Sequence, residues 1–318
     1  MSSLGEFNPS LIRGLWALTL RELKKWLKDP VMLVMFILQP LIWMGLLGKS
    51  MNIQGLFLSS NLSNISIPNI QIPGSLLNPP VNGVINIPGT LISKQLQKMF
   101  SEIGLNIMQN TFGVSDYFSY MAVGMVSMIV TTTTMFSGMS IVWDRRLGFL
   151  NKVISTPVSR AAIIFAKILN ATFRAMFQST VILALAYILG LKLSSTFTWI
   201  NIVGVYAAIF LLSVGLSSIF LAFSIRSTRM ERPMQFVGLI TMPLMFASNI
   251  FFPISLMPSW MQTIARINPL TYLTDAVRQL TILQLEPSAL IVDFTCLSIF
   301  AAILATIGIV LSWKYLTK

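Results

Sequence analysis

From Val31 to Ser50 the chain reads VMLVMFILQPLIWMGLLGKS. Its last three residues, Gly48-Lys49-Ser50, match the end of a phosphate-binding loop, which would place them in an α/β nucleotide-binding fold. That loop requires a glycine five positions before Gly48, and Trp43 stands there. It also requires a short buried strand upstream. The residues from Val31 to Leu47 are instead one apolar run. About 20 apolar residues make a membrane-crossing helix, so the stretch reads as a span that ends in Gly and Lys.

Composition extends this reading to the whole chain. Of 318 residues, 55% are hydrophobic and 10% charged, where a soluble domain carries about 25% charged residues. The mean hydropathy is +0.77. The expected fold class is an all-α polytopic membrane protein. Six segments are long and apolar enough to be its helices: Val31–Lys49, Phe118–Val142, Ala161–Gly190, Trp199–Ser224, Pro233–Ile254 and Leu290–Trp313. The first 30 residues carry charges throughout, so no cleavable signal peptide is expected. Cys296 stands alone, which excludes an internal disulfide. Histidine is absent, which excludes Ser-His and Cys-His catalysis and His-containing zinc sites.

The net charge of +12 is spread along the chain rather than gathered in one patch, so no nucleic-acid partner is expected. Lysine and arginine accumulate on the cytoplasmic side of a membrane protein. If both termini face the cytoplasm, that side holds the basic residues of 1–30, 143–160, 225–232 and the tail, fourteen in all. The other side holds Lys49, Lys94, Lys98, Lys192, Arg266 and Arg278. The expected location is the plasma membrane with both termini inside. Lys49 then lies outside, beyond the reach of cytoplasmic ATP. Inside the third span, Lys167 is placed to snorkel to the near interface, whereas Arg174 lies deeper and needs a partner or water.

Residues 1–30 include an amphipathic helix with Ile12, Leu15, Trp16, Leu20, Leu23 and Leu27 on one face, suited to the inner interface, and Pro30 marks the bend into residues 31–50. It anchors the topology or also touches a cytoplasmic partner. Residues 51–117 form an extracytoplasmic segment. Its Pro- and Gly-rich first half predicts short extended pieces. A helix follows, with Leu91, Leu96, Phe100, Ile103 and Ile107 as its apolar positions. The segment packs on its own spans or on a second copy. Asn61 and Asn64 begin two glycosylation sequons. Residues 118–318 hold the remaining spans.

Two stretches outside the spans carry mechanism. WDRRLGFLNKVISTPVSR, residues 143–160, reads as one short amphipathic helix ended or kinked by Pro157. It is either a lipid-facing loop helix or a docking helix for a soluble partner. The stretch resembles the signature of type-2 ABC transporter permeases. Asp144, Arg145, Gly148, Leu150, Pro157, Ser159 and Arg160 match it, and Phe149 departs from the family's usual Thr. The resemblance implies that Trp143, Asp144, Arg145, Arg146, Gly148, Leu150, Pro157 and Arg160 couple the membrane domain to an ATPase.

The second stretch, SNIFFPISLMPSWMQTIARINPLTYLTDAVRQL from Ser248 to Leu280, is similar to the same family's outer region. Pro253, Pro258 and Pro269 break it into short helices. The resemblance implies re-entrant helices over residues 253–282 that line the outer exit. Asn249, Phe251, Phe252, Pro253, Pro258, Asn268, Pro269, Tyr272 and Arg278 are the gate candidates, with Asn249 where the family often has Gly. The long segment after the first span and Asn268-Pro-Leu-Thr-Tyr272 look most like the drug-export branch.

Polar residues in the spans are few. Gln39, Thr131, Thr134, Ser137 and Gln178 are candidates for a substrate path. The alternative is that the hydroxyls bond back to their own carbonyls. The sequence as a whole resembles an exporter permease without an ATPase site of its own, working as a dimer or with a homologous permease. ATP and Mg would be held by a separate ATPase subunit, and the substrate would be a drug, lipid or lipid-linked glycan. The competing reading is a secondary transporter or channel subunit without an ATPase. The acids near spans, Asp116, Asp144, Asp275 and Asp293, are scattered, which argues against proton or sodium coupling and against an intramembrane enzyme.

Overall fold

The structure is a computed structural model that describes residues 11–49, 67–73, 84–156, 158–227 and 229–316. The two sequons and Pro157 lie outside the described residues. Among the described residues the fold is all-α apart from one antiparallel pair of strands. Helix α1 spans Leu11–Leu27 and α2 spans Pro30–Trp43, which widens into a π-helical turn over Met44–Lys49. The Gly-Lys of the opening stretch therefore belongs to a helix and not to a loop.

Strands β1 (Ile70–Pro73) and β2 (Val84–Ile87) pair antiparallel, with Ile70 opposite Ile87. Gly89 opens α3, Gly89–Phe112, and its amide bonds the Asn69 side chain at 3.0 Å. A Cβ there would sit 1.7 Å from the Ile67 carbonyl oxygen, so only glycine fits. Extended pieces followed by a helix are as the sequence predicts, but the buried stripe of α3 is different. Gly104, Met108 and Phe112 are buried, while Leu91 and Ile103 are exposed and Leu96, Phe100 and Ile107 are half-buried. The helix touches the bundle only near its end, where Phe112 meets Tyr117 and Tyr120 edge to face.

The bundle is built around α4, Tyr117–Ser137, whose residues are buried apart from Phe136. Asp116 caps it by accepting from the Ser119 amide at 2.8 Å. A break at Gly138 leads into α5, Met139–Arg146; a Cβ at this glycine would lie 2.8 Å from the Phe220 carbonyl oxygen, so α8 packs close against it. Helix α6 spans Phe149–Ile154, α7 spans Arg160–Ile188, α8 spans Trp199–Ile225 and α9 spans Glu231–Phe246. After a 3-10 turn at Ile254–Leu256 come α10, Ser259–Ile267, and α11, Pro269–Thr281. Helix α12, Pro287–Leu316, closes the chain. It lies backbone to backbone with α8: a Cβ on Gly308 would fall 2.4 Å from Ser218, and one on Gly215 would fall 3.2 Å from Ala301. Small residues are what allow membrane helices this approach.

Among the described residues, four helical stretches are long and apolar enough to cross a membrane: the one containing α4, and α7, α8 and α12. The other two expected spans are shorter. Leu33–Lys49 is an apolar helix below that length, and α9 has 16 residues. Both carry an internal proline, Pro40 and Pro243, which removes a backbone donor. Helix α9 stops at Phe246 and does not reach Ile254, because the chain turns over residues 247–250. One end of the bundle carries α1, α5 and α6. The other carries α3, α10, α11 and the loop between α7 and α8, which is tied by Lys192 N to Ser119 Oγ at 3.2 Å and Ser194 N to Thr281 O at 2.9 Å.

Candidate functional site

At the α1 end, the stretch 143–160 is not one helix. Leu147 and Gly148 turn the chain between α5 and α6, and Gly148 has φ of 69°, a left-handed conformation that costs a side-chain residue about 1–2 kcal/mol. Ser159 then caps α7 by accepting from the Ala162 amide at 3.2 Å, and Arg160 begins that helix.

The turn sorts the candidate residues into two sets. Trp143 and Leu147 are 48% and 69% exposed, and Arg146 is exposed beside them. Asp144 and Leu150 face inward. Leu150 packs with Val153, Ile141 and Ile163. Asp144 hydrogen-bonds Lys167 of α7, and Lys167 Nζ also lies 3.0 Å from Glu22 Oε1 of α1. Arg21 completes the cluster, 3.0 Å from the same Glu22 oxygen and 3.9 Å from Asp144 Oδ1, with its guanidinium 3.3 Å from the Phe149 ring centre. Two acids and two bases thus join three helices at a site where charge is expensive unless paired.

This corrects two expectations. Lys167 does not snorkel: it is buried and bonded inward. Asp144 is not a contact surface for a partner, because its carboxylate is consumed within the chain. Glu22 and Arg21 were missed. The signal was present, since Glu22 is the lone acid of α1. Helix α1 turns Thr19, Glu22 and Trp26 toward the bundle and leaves Ile12, Trp16 and Leu27 exposed, the face suited to an interface. The deeper base, Arg174, has Trp26 as its neighbour, with the guanidinium 5.2 Å from the ring centre.

At the opposite end, the short helices after Pro253, Pro258 and Pro269 form where the prolines predict. Their polar groups repair the end of α9. A helix C-terminus leaves carbonyls without partners. Asn268 caps α11 through the Leu270 amide, 3.0 Å, and its Nδ2 donates to Leu244 O at 2.6 Å and Ala247 O at 2.7 Å. Arg278 donates to Asn249 O at 2.8 Å, Ile250 O at 3.0 Å and Tyr120 O at 3.1 Å. Asn249 donates through Nδ2 to Asp275. Tyr117 and Tyr120 hydroxyls donate to Phe251 O and Asn249 O, each at 3.1 Å.

The exit-lining role expected for Arg278 is therefore corrected. The side chain is 1% exposed and works as a clamp on backbone. Asn249 and Phe251 are buried with it, Phe252 is partly exposed at 42%, and Tyr272 bonds the Arg266 carbonyl. Tyr117, Tyr120, Asp275 and Gly124 belong to this closure and were not anticipated.

The path candidates are not brought together. Thr131 and Thr134 bond the carbonyls of Ser127 and Val130, at 2.7 and 2.8 Å, and Ser137 bonds Thr134 O at 2.7 Å. Gln178 is buried and bonded to Thr133. Only Gln39 lines an open space, a groove of about 220 Å³ between α2, α4 and α9 walled by Trp43, Thr132, Phe136, Thr241 and Phe251. Among the described residues, no cluster of three or more His, Cys, Asp or Glu could hold a metal. The four acids near spans each have a partner: Asp116 the α4 cap, Asp144 Lys167, Asp275 Asn249, and Asp293 Gln279 at 2.9 Å.

The sequence profile of the ABC-2 type transporter family matches residues 13–282. That range takes in the charged joint, the groove and the closure at the end of α9. The chain belongs to the ABC-2 type transporter family. Among its relatives, the putative transport permease ycf38 of Porphyra purpurea is 29% identical over 200 residues, covering 60% of this chain and 67% of that one. The daunorubicin resistance ABC transporter permease protein DrrB1 of Streptomyces coeruleorubidus is 26% identical, over 52% of this chain and 58% of its own. The probable multidrug ABC transporter permease YbhR of Escherichia coli K12 is 27% identical, over 61% and 51% respectively. With its apolar helices, the protein is a multi-pass membrane protein of this family.

Proposed function

We propose that this chain is the membrane-spanning permease subunit of an ABC exporter that moves an amphipathic substrate outward, with ATP and Mg held by separate ATPase subunits. The observation that carries the reading is the exposed face Trp143-Arg146-Leu147, presented on a joint whose buried charges Glu22, Asp144 and Lys167 are paired within the chain. A rigid apolar and basic tip is suited to receive a soluble partner and to pass its motion on. Asp144–Lys167–Glu22 then carries that motion from α5 to α7 and α1.

The groove between α2, α4 and α9 supports the transport half of the reading. It is open on one side, mostly apolar, and supplies Gln39, Thr132 and Thr241 as polar contacts. A second copy or a homologous permease facing it would complete a path for a drug- or lipid-like molecule. ATP binding would close the ATPases, tilt the joint, and shift the pair between inward- and outward-open states. The location proposed is the plasma membrane with both termini cytoplasmic. The relatives named as a daunorubicin resistance permease and a probable multidrug permease support an amphipathic substrate.

The test is to purify the chain gently from its native membrane and identify what accompanies it. A stoichiometric ATPase that is lost in the double variant Trp143→Ala, Leu147→Glu supports the reading. A chain that purifies alone and moves solute in liposomes without ATP overturns it in favour of a secondary transporter or channel.

A further inference from the structure

A cavity larger than the groove lies outside both the joint and the groove. It is a space of about 640 Å³ between the second half of α7 and the first half of α8. Such a volume is that of a small-molecule site. Leu183, Ala184, Ile202 and Val205 give it apolar walls. Tyr187 and Trp199 stand at its rim, 63% and 83% exposed. Inside, the Thr180 and Tyr206 hydroxyls bond each other at 2.6 Å, and Ser179 Oγ is buried without a hydrogen-bond partner.

The position selects the occupant. The cavity opens between two helices long enough to cross the membrane, so its mouth faces hydrocarbon. An apolar void loses the dispersion contacts its lining could make, and lipid tails are the apolar chains available there. The rim carries the aromatic residues that sit at head-group level. The loop over the mouth, residues 189–198, contains Lys192 and no acid. Lys192 is exposed, makes none of the salt bridges found among the described residues, and is held in place by its own amide on Ser119 Oγ at 3.2 Å. It is thus an exposed cation between two residues, Leu191 and Leu193, that line the cavity.

We propose that this cavity binds a bilayer phospholipid, one acyl chain entering between α7 and α8 and the phosphate meeting Lys192. The site is independent of the transport groove, and its test contains neither ATPase nor transported substrate. The chain is placed in nanodiscs containing phosphatidylglycerol that bears a diazirine on its acyl chain, illuminated, and mapped by peptide mass spectrometry. Label should concentrate on the α7 and α8 residues that wall the cavity. It should fall several-fold in Ala184→Trp, which fills the cavity from its open side, and in Ile202→Phe as a second filler should the first fail to insert. Lys192→Glu, a loop substitution, should lower labelling by phosphatidylglycerol more than by a phosphatidylcholine probe. Label spread over all exposed helix faces and unchanged by the variants overturns the proposal. So does a cross-link from Trp199 to a second copy of the chain, which would mean that protein and not lipid covers the mouth.

Discussion

Gly124 on α4 faces Arg278 on α11 across a space that admits no side chain. A Cβ added to Gly124 would lie 3.2 Å from Nη2 of Arg278 and 2.4 Å from the Ile250 carbonyl oxygen. The missing side chain is what lets one guanidinium reach the Tyr120 carbonyl on its left and the end of α9 on its right. This planar fork, with the Tyr117 and Tyr120 hydroxyls and the Thr274–Ser127 bond, ties the segment after α9 and α11 to α4. Its geometry is the reason lysine is not a substitute.

Arg278→Lys should lower the melting temperature in detergent, because a point charge replaces three directed bonds, each worth about 1.5–3 kcal/mol when the donor is charged. Arg278→Leu should be worse, since it leaves the carbonyls buried and unpaired. Gly124→Val should prevent assembly of the same region without touching any charge. Thermal unfolding followed by fluorescence size exclusion reads all three. Wild-type melting of Arg278→Leu would mean that the fork is not structural.

Lys167→Met should cost about 3–5 kcal/mol, because Asp144 and Glu22 would lose their buried cation and keep only the more exposed Arg21. The triple variant Lys167→Met, Asp144→Asn, Glu22→Gln should recover most of that loss. The comparison separates charge balance from packing. If the single and triple variants melt alike, the cluster acts through shape and not through charge.

Leu147→Glu and Trp143→Ala lie on the exposed face and should change stability by less than about 0.5 kcal/mol. Both should weaken retention of an ATPase on the purified chain. Gly148→Ala should differ, costing about 1–2 kcal/mol through its left-handed φ and misaligning α6 while leaving the exposed side chains intact. A pull-down run beside a melting curve tells contact from scaffold.

Four of the six expected spans were legible because apolar runs of sufficient length have few other uses in a chain with so little charge. Proline placement located α10 and α11 for an equally local reason, the missing donor. The closure was not legible. Arg278 stands in a segment that charge counting puts outside the membrane, and two of its partners, Asn249 O and Ile250 O, are carbonyls left free because α9 stops early. The joint was half legible. A lysine inside a span announces a partner, but Asp144 lies a helix away and Glu22 near the start of the chain, and no spacing rule links them. Helix α4 concealed its role because burial on all faces leaves no periodic pattern to read. Two readings were open for Thr131 and Thr134, and both are bonded to carbonyls of their own helix.

Gly238 offers the sharpest test of the groove. It lines the space between α2, α4 and α9, and a Cβ placed on it would meet nothing within 4 Å. Gly238→Leu should therefore fold as well as wild type, or better by about 0.5–1 kcal/mol, since leucine favours a helix interior over glycine. The side chain would project toward Phe136 and Met242 across a volume of about 220 Å³ and occupy much of it. Transport of a bulky amphipathic probe should fall more than that of a small one, and stimulation of the partner ATPase by the bulky probe should be lost while its basal rate stays. Equal transport of both probes by a well-folded Gly238→Leu protein would remove the groove from the substrate's route. The same substitution at Gly124 would fail for a different reason, misassembly, so the pair distinguishes a cavity the protein uses from a contact it is built on.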